Sequence, residues 1–187
     1  MLHSALHPGY SRIHGVGVIA LRDIPMGTAL WWPCPKCSVF SERVQRRTPE
    51  GVLRWLGEFG YRRADGGLIT PCRGAHLLNH SCAATVLDAG LSVGIAVVDI
   101  RKGDEVTCDY RTFRYDDAWH FTCSCNAPEC IGTIASAPGG PPAAVSAAWR
   151  HRVNTALTAA ATVAQETTVR AGDVNGVRAA RGGDRAR

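Results

Sequence analysis

No stretch of about 18 consecutive apolar residues occurs in this chain, so no membrane-spanning helix is expected. Residues 1–10 lack an apolar core and do not read as a secretory leader. The expected setting is therefore a reducing cytoplasm, with no membrane partner. Lysine is nearly missing, with Lys36 and Lys102 set against 19 arginines. That preference, with abundant Ala and Gly, points to a GC-rich bacterial source. A strong charge of one sign is also lacking. Net charge is +5, and the last 18 residues hold Arg170, Arg178, Arg181, Arg185 and Arg187 against Asp173 and Asp184. The body keeps about +2, too little for a basic nucleic-acid platform, so no nucleic-acid partner is expected for it.

Long helical periodicity is scarce. Residues 13–21 are apolar, β-branched and broken by Gly15 and Gly17, which reads as a strand entered from a turn. A turn at residues 23–27 leads to a second strand over 28–32, stopped by Pro33. Residues 48–59 read as the best early helix, with Thr48 as N-cap, Pro49 at the first helical position, and Val52, Leu53, Leu56 and Phe59 on one face. Residues 61–63 and 68–70 pair as a hairpin. Strands follow at 91–100 and 105–110 around a Lys102-Gly103 turn. From Pro138 the composition shifts to a Pro/Gly linker, an Ala-rich helix over 143–167 carrying Trp149, Val153, Leu157, Ala160 and Val163, and an Arg-rich tail. A chain of 187 residues then holds one mainly β domain with few short helices.

Cysteine is plentiful, at eight residues. In a reducing compartment, grouped Cys point to metal before disulfides. Cys123, Cys125 and Cys130 form a C-x-C-x4-C run among small and turn-forming residues. Three thiolates so spaced can wrap one zinc ion, which wants four ligands. His120 is a local candidate for the fourth and Cys82 a distant one. Full protein coordination leaves no open position, so the site reads as structural. Cys34 and Cys37 form a second pair, read as a turn filling small apolar pockets rather than a second zinc site.

Four segments stand in order: Gly15-Val16-Gly17, Asn79-His80-Ser81-Cys82, residues 103–110 ending Cys108-Asp109-Tyr110, and the cysteine run. In this order and spacing they resemble the SET-domain protein lysine methyltransferases with a post-SET zinc segment. The resemblance covers residues 11–134. It implies a SET-type fold of small β-sheets in which the second and third segments thread through each other as a pseudoknot. It implies a SET domain over 1–118, a zinc segment over 119–136, and a linker, helix and tail over 137–187. S-adenosylmethionine would be held by Gly15, Val16, Gly17, Asn79 and His80, with Tyr110 the catalytic phenol. Cys82 would join Cys123, Cys125 and Cys130 on zinc. The implied reaction is methyl transfer to a lysine ε-amine in a protein or peptide. The rival readings are a SET scaffold that binds without turnover and a zinc-ribbon nucleic-acid binder.

The chain departs from the family's pattern in places. Cys108 stands where an aromatic often precedes the catalytic Tyr by two residues, leaving room for more than one methyl group. Trp31-Trp32-Pro33-Cys34 replaces an acidic strand motif, which makes Tyr61 a candidate for the lysine channel. Ile131-Gly132-Thr133 replaces an aromatic that covers adenine, a task left to Trp119 or Phe121.

Overall fold

The computed structural model describes residues 1–32, 37–62, 67–70, 72–88, 93–112, 119–136 and 140–167, with the backbone alone at 61 and 62. The Cys34 half of the second cysteine pair, the turn of the expected 61–70 hairpin, the Tyr61 side chain and the tail from residue 168 lie outside these.

The chain begins with a hairpin, β1 (Leu6–Tyr10) against β2 (Val16–Ala20), paired from Leu6↔Ala20 to Tyr10↔Val16. β1 was not among the expected strands, and Pro8 and Gly9 are both unfavourable inside a strand. Pro8 is tolerated there because β1 is the edge of its sheet, where a missing N–H breaks no inner ladder. β3 (Ala29–Trp31) follows, then β4 (Val39–Phe40), a short helix α1 (Glu42–Gln45) and α2 (Glu50–Phe59).

The α2 cap differs from expectation. Pro49 is the N-cap and offers no side-chain bond, while Thr48 turns its hydroxyl back to the Val44 carbonyl at 2.9 Å. Helix α1, ending just upstream, supplies that acceptor. Only Leu56 of α2 is fully buried; Val52 is exposed. β5 (Tyr61–Arg62) and β6 (Leu68–Ile69) pair antiparallel, with β4 on the other side of β6.

Short strands β7 (Asn79–His80), β8 (Val86–Leu87), β9 (Gly94–Ala96) and β10 (Glu105–Cys108) complete a seven-stranded sheet in the order β1-β2-β10-β8-β9-β3, with β7 also on β10. β9 is shorter than the strand expected over 91–100; Ile100 bridges to Ile24 instead of extending it. β11 (His120–Thr122) and β12 (Thr133–Ala135) form a separate ribbon around the cysteine run. The chain is thus mainly β, with three α-helices and two single-turn 3-10 helices among the described residues.

Val18, Leu78, Val86 and Val106 fill a core on one side of the sheet, beneath Tyr110. Burial of each such side chain contributes about 1.5–3 kcal/mol. Helix α3 (Ala143–Ala160) covers the other side, packing Trp149, Val153 and Ala156 on Leu87, Ile95 and Val97. Gly27 permits this approach. Its φ is +92°, and a Cβ there would lie 2.6 Å from the Ala160 backbone nitrogen. The helix ends before the expected Thr167 because the next residues fold back as a strap. Gln165 donates to the Gly27 carbonyl at 2.8 Å and accepts from the Ala29 N–H at 2.9 Å. Glu166 accepts from the Ser4 N–H at 2.9 Å and from the Ser4 hydroxyl.

Candidate active site and metal centre

β7 and β10 run parallel, pairing Thr107 with Asn79 and Cys108 with His80. This brings the two central sequence segments side by side although nearly 30 residues separate them. Past the strand ends the contact continues through Ser81 N–H to the Cys108 carbonyl, 3.0 Å. The Tyr110 N–H donates to His80 Nδ1 at 3.1 Å, and the Tyr110 hydroxyl donates to the Leu78 carbonyl at 2.9 Å. Tyr110 therefore sits against the residue that precedes Asn79.

His80 is buried. Burial dominates its ionisation and lowers the ring to about 4, against the opposing pull of Asp109. With Nδ1 accepting, the neutral ring carries its hydrogen on Nε2, 3.6 Å from Cys82 Sγ. Cys108 is buried beside it, its Sγ 3.8 Å from the same Leu78 carbonyl. Burial pushes that thiol well above its ordinary range, so it stays protonated. Phe121 packs on His80 and Tyr110 at 5.7 and 6.0 Å, and Trp119 stacks on Phe121 at 5.8 Å. Of the two aromatics expected near a cofactor, Phe121 thus stands against Tyr110 and Trp119 stacks on Phe121.

The Gly15–Gly17 turn is held by a network only half visible in sequence. Asn79 Nδ2 lies 3.0 Å from the His14 carbonyl, 3.2 Å from the Val16 carbonyl and 2.8 Å from Glu105 Oε1. Ser11 donates its hydroxyl to Glu105 at 2.8 Å and accepts from the Ile13 and His14 N–H groups at 2.9 and 3.0 Å. Gly17 is required by this packing. A Cβ there would fall 2.2 Å from Glu105 Oε1 and 3.1 Å from Asn79 Nδ2. Ser11 and Glu105 were not anticipated. Only the Ser11-x-Ile13-His14 turn gave any local signal for the first.

Cys82, Cys123, Cys125 and Cys130 bring their sulfurs within 4.8 Å of one another, and all four are half-buried. A tetrahedron with zinc–sulfur bonds of about 2.3 Å has its sulfurs about 3.8 Å apart, so the four fit around one ion. His120, the local alternative, is exposed and stands outside this group. The loop is shaped for thiolate. Asn126 takes a left-handed φ of 53°, which Asn tolerates, and the Cys123 N–H closes on the Gly132 carbonyl at 2.7 Å. Burial opposes ionisation of Cys125, yet the N–H groups of Ala127 and Cys82 and the neighbouring thiols bring it down to about 6. Burial first, then the thiols of Cys125 and Cys130, push Cys123 up to about 12. Four sulfurs this close favour one thiolate by themselves; a dication would draw the others to thiolate as well.

A family model described as "SET domain" matches residues 15–111, just over half of the chain. A Yarrowia lipolytica protein named "Histone-lysine N-methyltransferase, H3 lysine-36 specific" is 33% identical over 136 residues, covering 64% of this chain and 17% of that protein. A Schizosaccharomyces pombe protein named "Histone-lysine N-methyltransferase, H3 lysine-4 specific" is 28% identical over 145 residues, covering 69% of this chain and 15% of that protein. The chain spans less than a fifth of the length of these curated relatives. Among solved structures, "crystal structure of KRYPTONITE in complex with mCHG DNA and SAH" aligns over 68% of this chain and 28% of that one, with 18% identity and a TM-score of 0.49.

Proposed function

The chain belongs to the SET-domain family, and from that premise we propose that it is an S-adenosylmethionine-dependent N-methyltransferase acting on the ε-amine of a lysine in a protein or peptide. The observation that carries the reading is the convergence of Tyr110, Leu78 and Asn79 at one point, beside the Gly15–Gly17 turn.

S-adenosylmethionine, when bound, supplies an electrophilic methyl group on a sulfonium. In this reading the backbone of Gly15, Val16 and Gly17 lines the cofactor, and Asn79 fixes that segment through its amide. His80 backs the site, and Trp119 and Phe121 flank the adenine. The acceptor amine must be neutral, although a free lysine has a pKa of about 10.4. The burial of Asn79, His80 and Cys108 keeps the surroundings dry, which disfavours the ammonium. His80, held neutral, adds no competing positive charge. Tyr110 orients the amine, and its hydroxyl and the Leu78 carbonyl polarise the approach. Cys108, smaller than an aromatic, leaves the amine room for a second or third methyl group.

Cys82, Cys123, Cys125 and Cys130 would hold a structural zinc ion that ties the β11–β12 ribbon to the Asn79–Cys82 segment. Cysteines kept as thiols and available to a metal ion suit a reducing cytoplasm. The test is transfer of radiolabelled methyl from S-adenosylmethionine to a lysine-peptide array and to cell lysate, with Tyr110→Phe in parallel. Label on lysine from the wild type alone supports the reading. Cofactor binding without transfer to any lysine would return the chain to a binding scaffold.

A further inference from the structure

Helix α3 lies beyond the matched SET segment, yet it touches that segment at two chemically specific points. The first is Arg111. Its guanidinium grips the buried Asp109 carboxylate as a fork, with Nε to Oδ1 at 2.9 Å and Nη2 to Oδ2 at 2.6 Å. Asp109 and Arg111 are the two neighbours of Tyr110 in sequence. The fork therefore fixes the backbone on both sides of the phenol, and Thr112 N–H to the Asp109 carbonyl at 2.9 Å closes the same turn. The Arg111 guanidinium also lies over the Trp149 ring of α3, 5.5 Å from its centroid. The second point is Arg152, one turn on, which donates to the Ala84 carbonyl at 2.6 Å, two residues after Cys82. Trp149 and Arg152 share a helix face at i, i+3, so one rigid element grips both chain segments that meet at Tyr110.

Apolar burial alone would not need this chemistry. Val153 and Ala156 already seat α3 on the sheet. A planar ring under a planar guanidinium adds orientation, holding the fork in the geometry that presents Asp109 and hence Tyr110.

Resting on the methyltransferase reading, we infer that Trp149 and Arg152 are positioning residues: α3 sets the Tyr110 turn from two sides, Trp149 through Arg111 and Asp109, and Arg152 through the Ala84 carbonyl of the segment that follows Cys82. The helix is then part of the catalytic apparatus and not only a cover for the sheet.

The experiment compares full-length, zinc-loaded wild type with Trp149→Leu, which keeps an apolar side chain, and Trp149→Phe, which keeps an aromatic face. Two quantities are read: steady-state methyl transfer, and exchange of the Tyr110 amide hydrogen followed by NMR. The Leu variant is expected to lose about tenfold in kcat with little change in KM for S-adenosylmethionine, and to lose about tenfold in Tyr110 amide protection. The Phe variant should stay within about twofold of wild type in both. A folded Leu variant with wild-type turnover and protection overturns the inference, as does a Phe variant as impaired as Leu. If the Leu variant does not fold, Arg152→Met carries the same test, because it keeps the stem and removes only the donor to Ala84. Unchanged turnover and protection there overturn the inference too. Failure of the wild type to methylate any lysine would sink the enzyme reading instead, while amide exchange still decides whether α3 sets the turn.

Discussion

Tyr110 donates its hydroxyl to the main-chain carbonyl of Leu78, 2.9 Å away, so the phenol is anchored on the residue next to Asn79. Its ring is also seated on His80 and Phe121. Removing the hydroxyl should therefore leave the ring in place. Tyr110→Phe is expected to lose about 100-fold or more in kcat if the hydroxyl aligns the amine. Stability should change by about 1 kcal/mol, the net worth of one hydrogen bond. Thermal unfolding alongside single-turnover methyl transfer checks both. Turnover equal to wild type would remove the hydroxyl from its assigned role.

Gly17→Ala tests the other wall of the site. The added methyl would meet Glu105 Oε1, and that carboxylate is pinned by Ser11 and Asn79, so it has little room to yield. Overpacking of this kind costs about 1–3 kcal/mol. The displaced Asn79 amide would also release the His14 and Val16 carbonyls. Calorimetry should record weaker S-adenosylmethionine binding than in wild type. Ser11→Ala, which cuts the same network without a clash, should weaken it in the same direction by a smaller factor. A Gly17→Ala protein with wild-type affinity would mean that the turn does not shape the cofactor site.

Much of this site was legible because its chemistry is local. Cys123, Cys125 and Cys130 sit within eight residues, and metal coordination dictates such spacing. The Asn79–Cys82 and Asp109–Tyr110 segments carried a family pattern. What sequence could not convey was pairing over distance. Ser11 and Glu105 are 94 residues apart, and neither stands in a pattern that names the other. β1 was missed because Pro8 and Gly9 argue against a strand unless the edge position is known. Thr48 offered an N-cap that the fold spends on Val44 instead. The docking of α3 depended on Gly27, whose tolerance of the Ala160 backbone no local rule announces.

Cys125→Ser should empty the metal centre. The wild type is expected to carry one zinc ion per chain and the variant close to none, because serine is a poor substitute for thiolate. Cys82 follows His80 by two residues, so loss of the ion should also loosen the Asn79–Cys82 segment. Lower melting temperature and weaker S-adenosylmethionine binding are expected together, and chelator treatment of the wild type should reproduce both. Equal zinc content in wild type and variant would refute the four-cysteine site.

Acid should undo the strap that joins the two described ends. His3 is buried, and burial lowers its ring below the ordinary 6.5, with Glu166 pulling the other way. Its Nδ1 accepts from the Ala5 N–H at 3.1 Å, and its Nε2 lies 3.4 Å from Glu166 Oε1. The folded ring is therefore neutral, with its hydrogen toward Glu166. A proton on Nδ1 would face the Ala5 N–H and break that bond. Unfolding frees the ring to take a proton near 6.5, so this contribution is full above that pH. It is lost as pH falls from 6.5 toward the lower folded value. Glu166 acts in the same direction at lower pH. Burial opposes its charge, but the Ser4 hydroxyl and N–H hold the carboxyl below its usual 4.5, so its share is lost as pH falls below that value. Melting temperature should thus decline as pH falls below about 6.5; His80, lowered to about 4 by burial, adds to that decline, so His3→Asn, which keeps an acceptor for Ala5 but cannot titrate, should lessen it without abolishing it. A His3→Asn variant with the full wild-type acid slope would move the titration to another group.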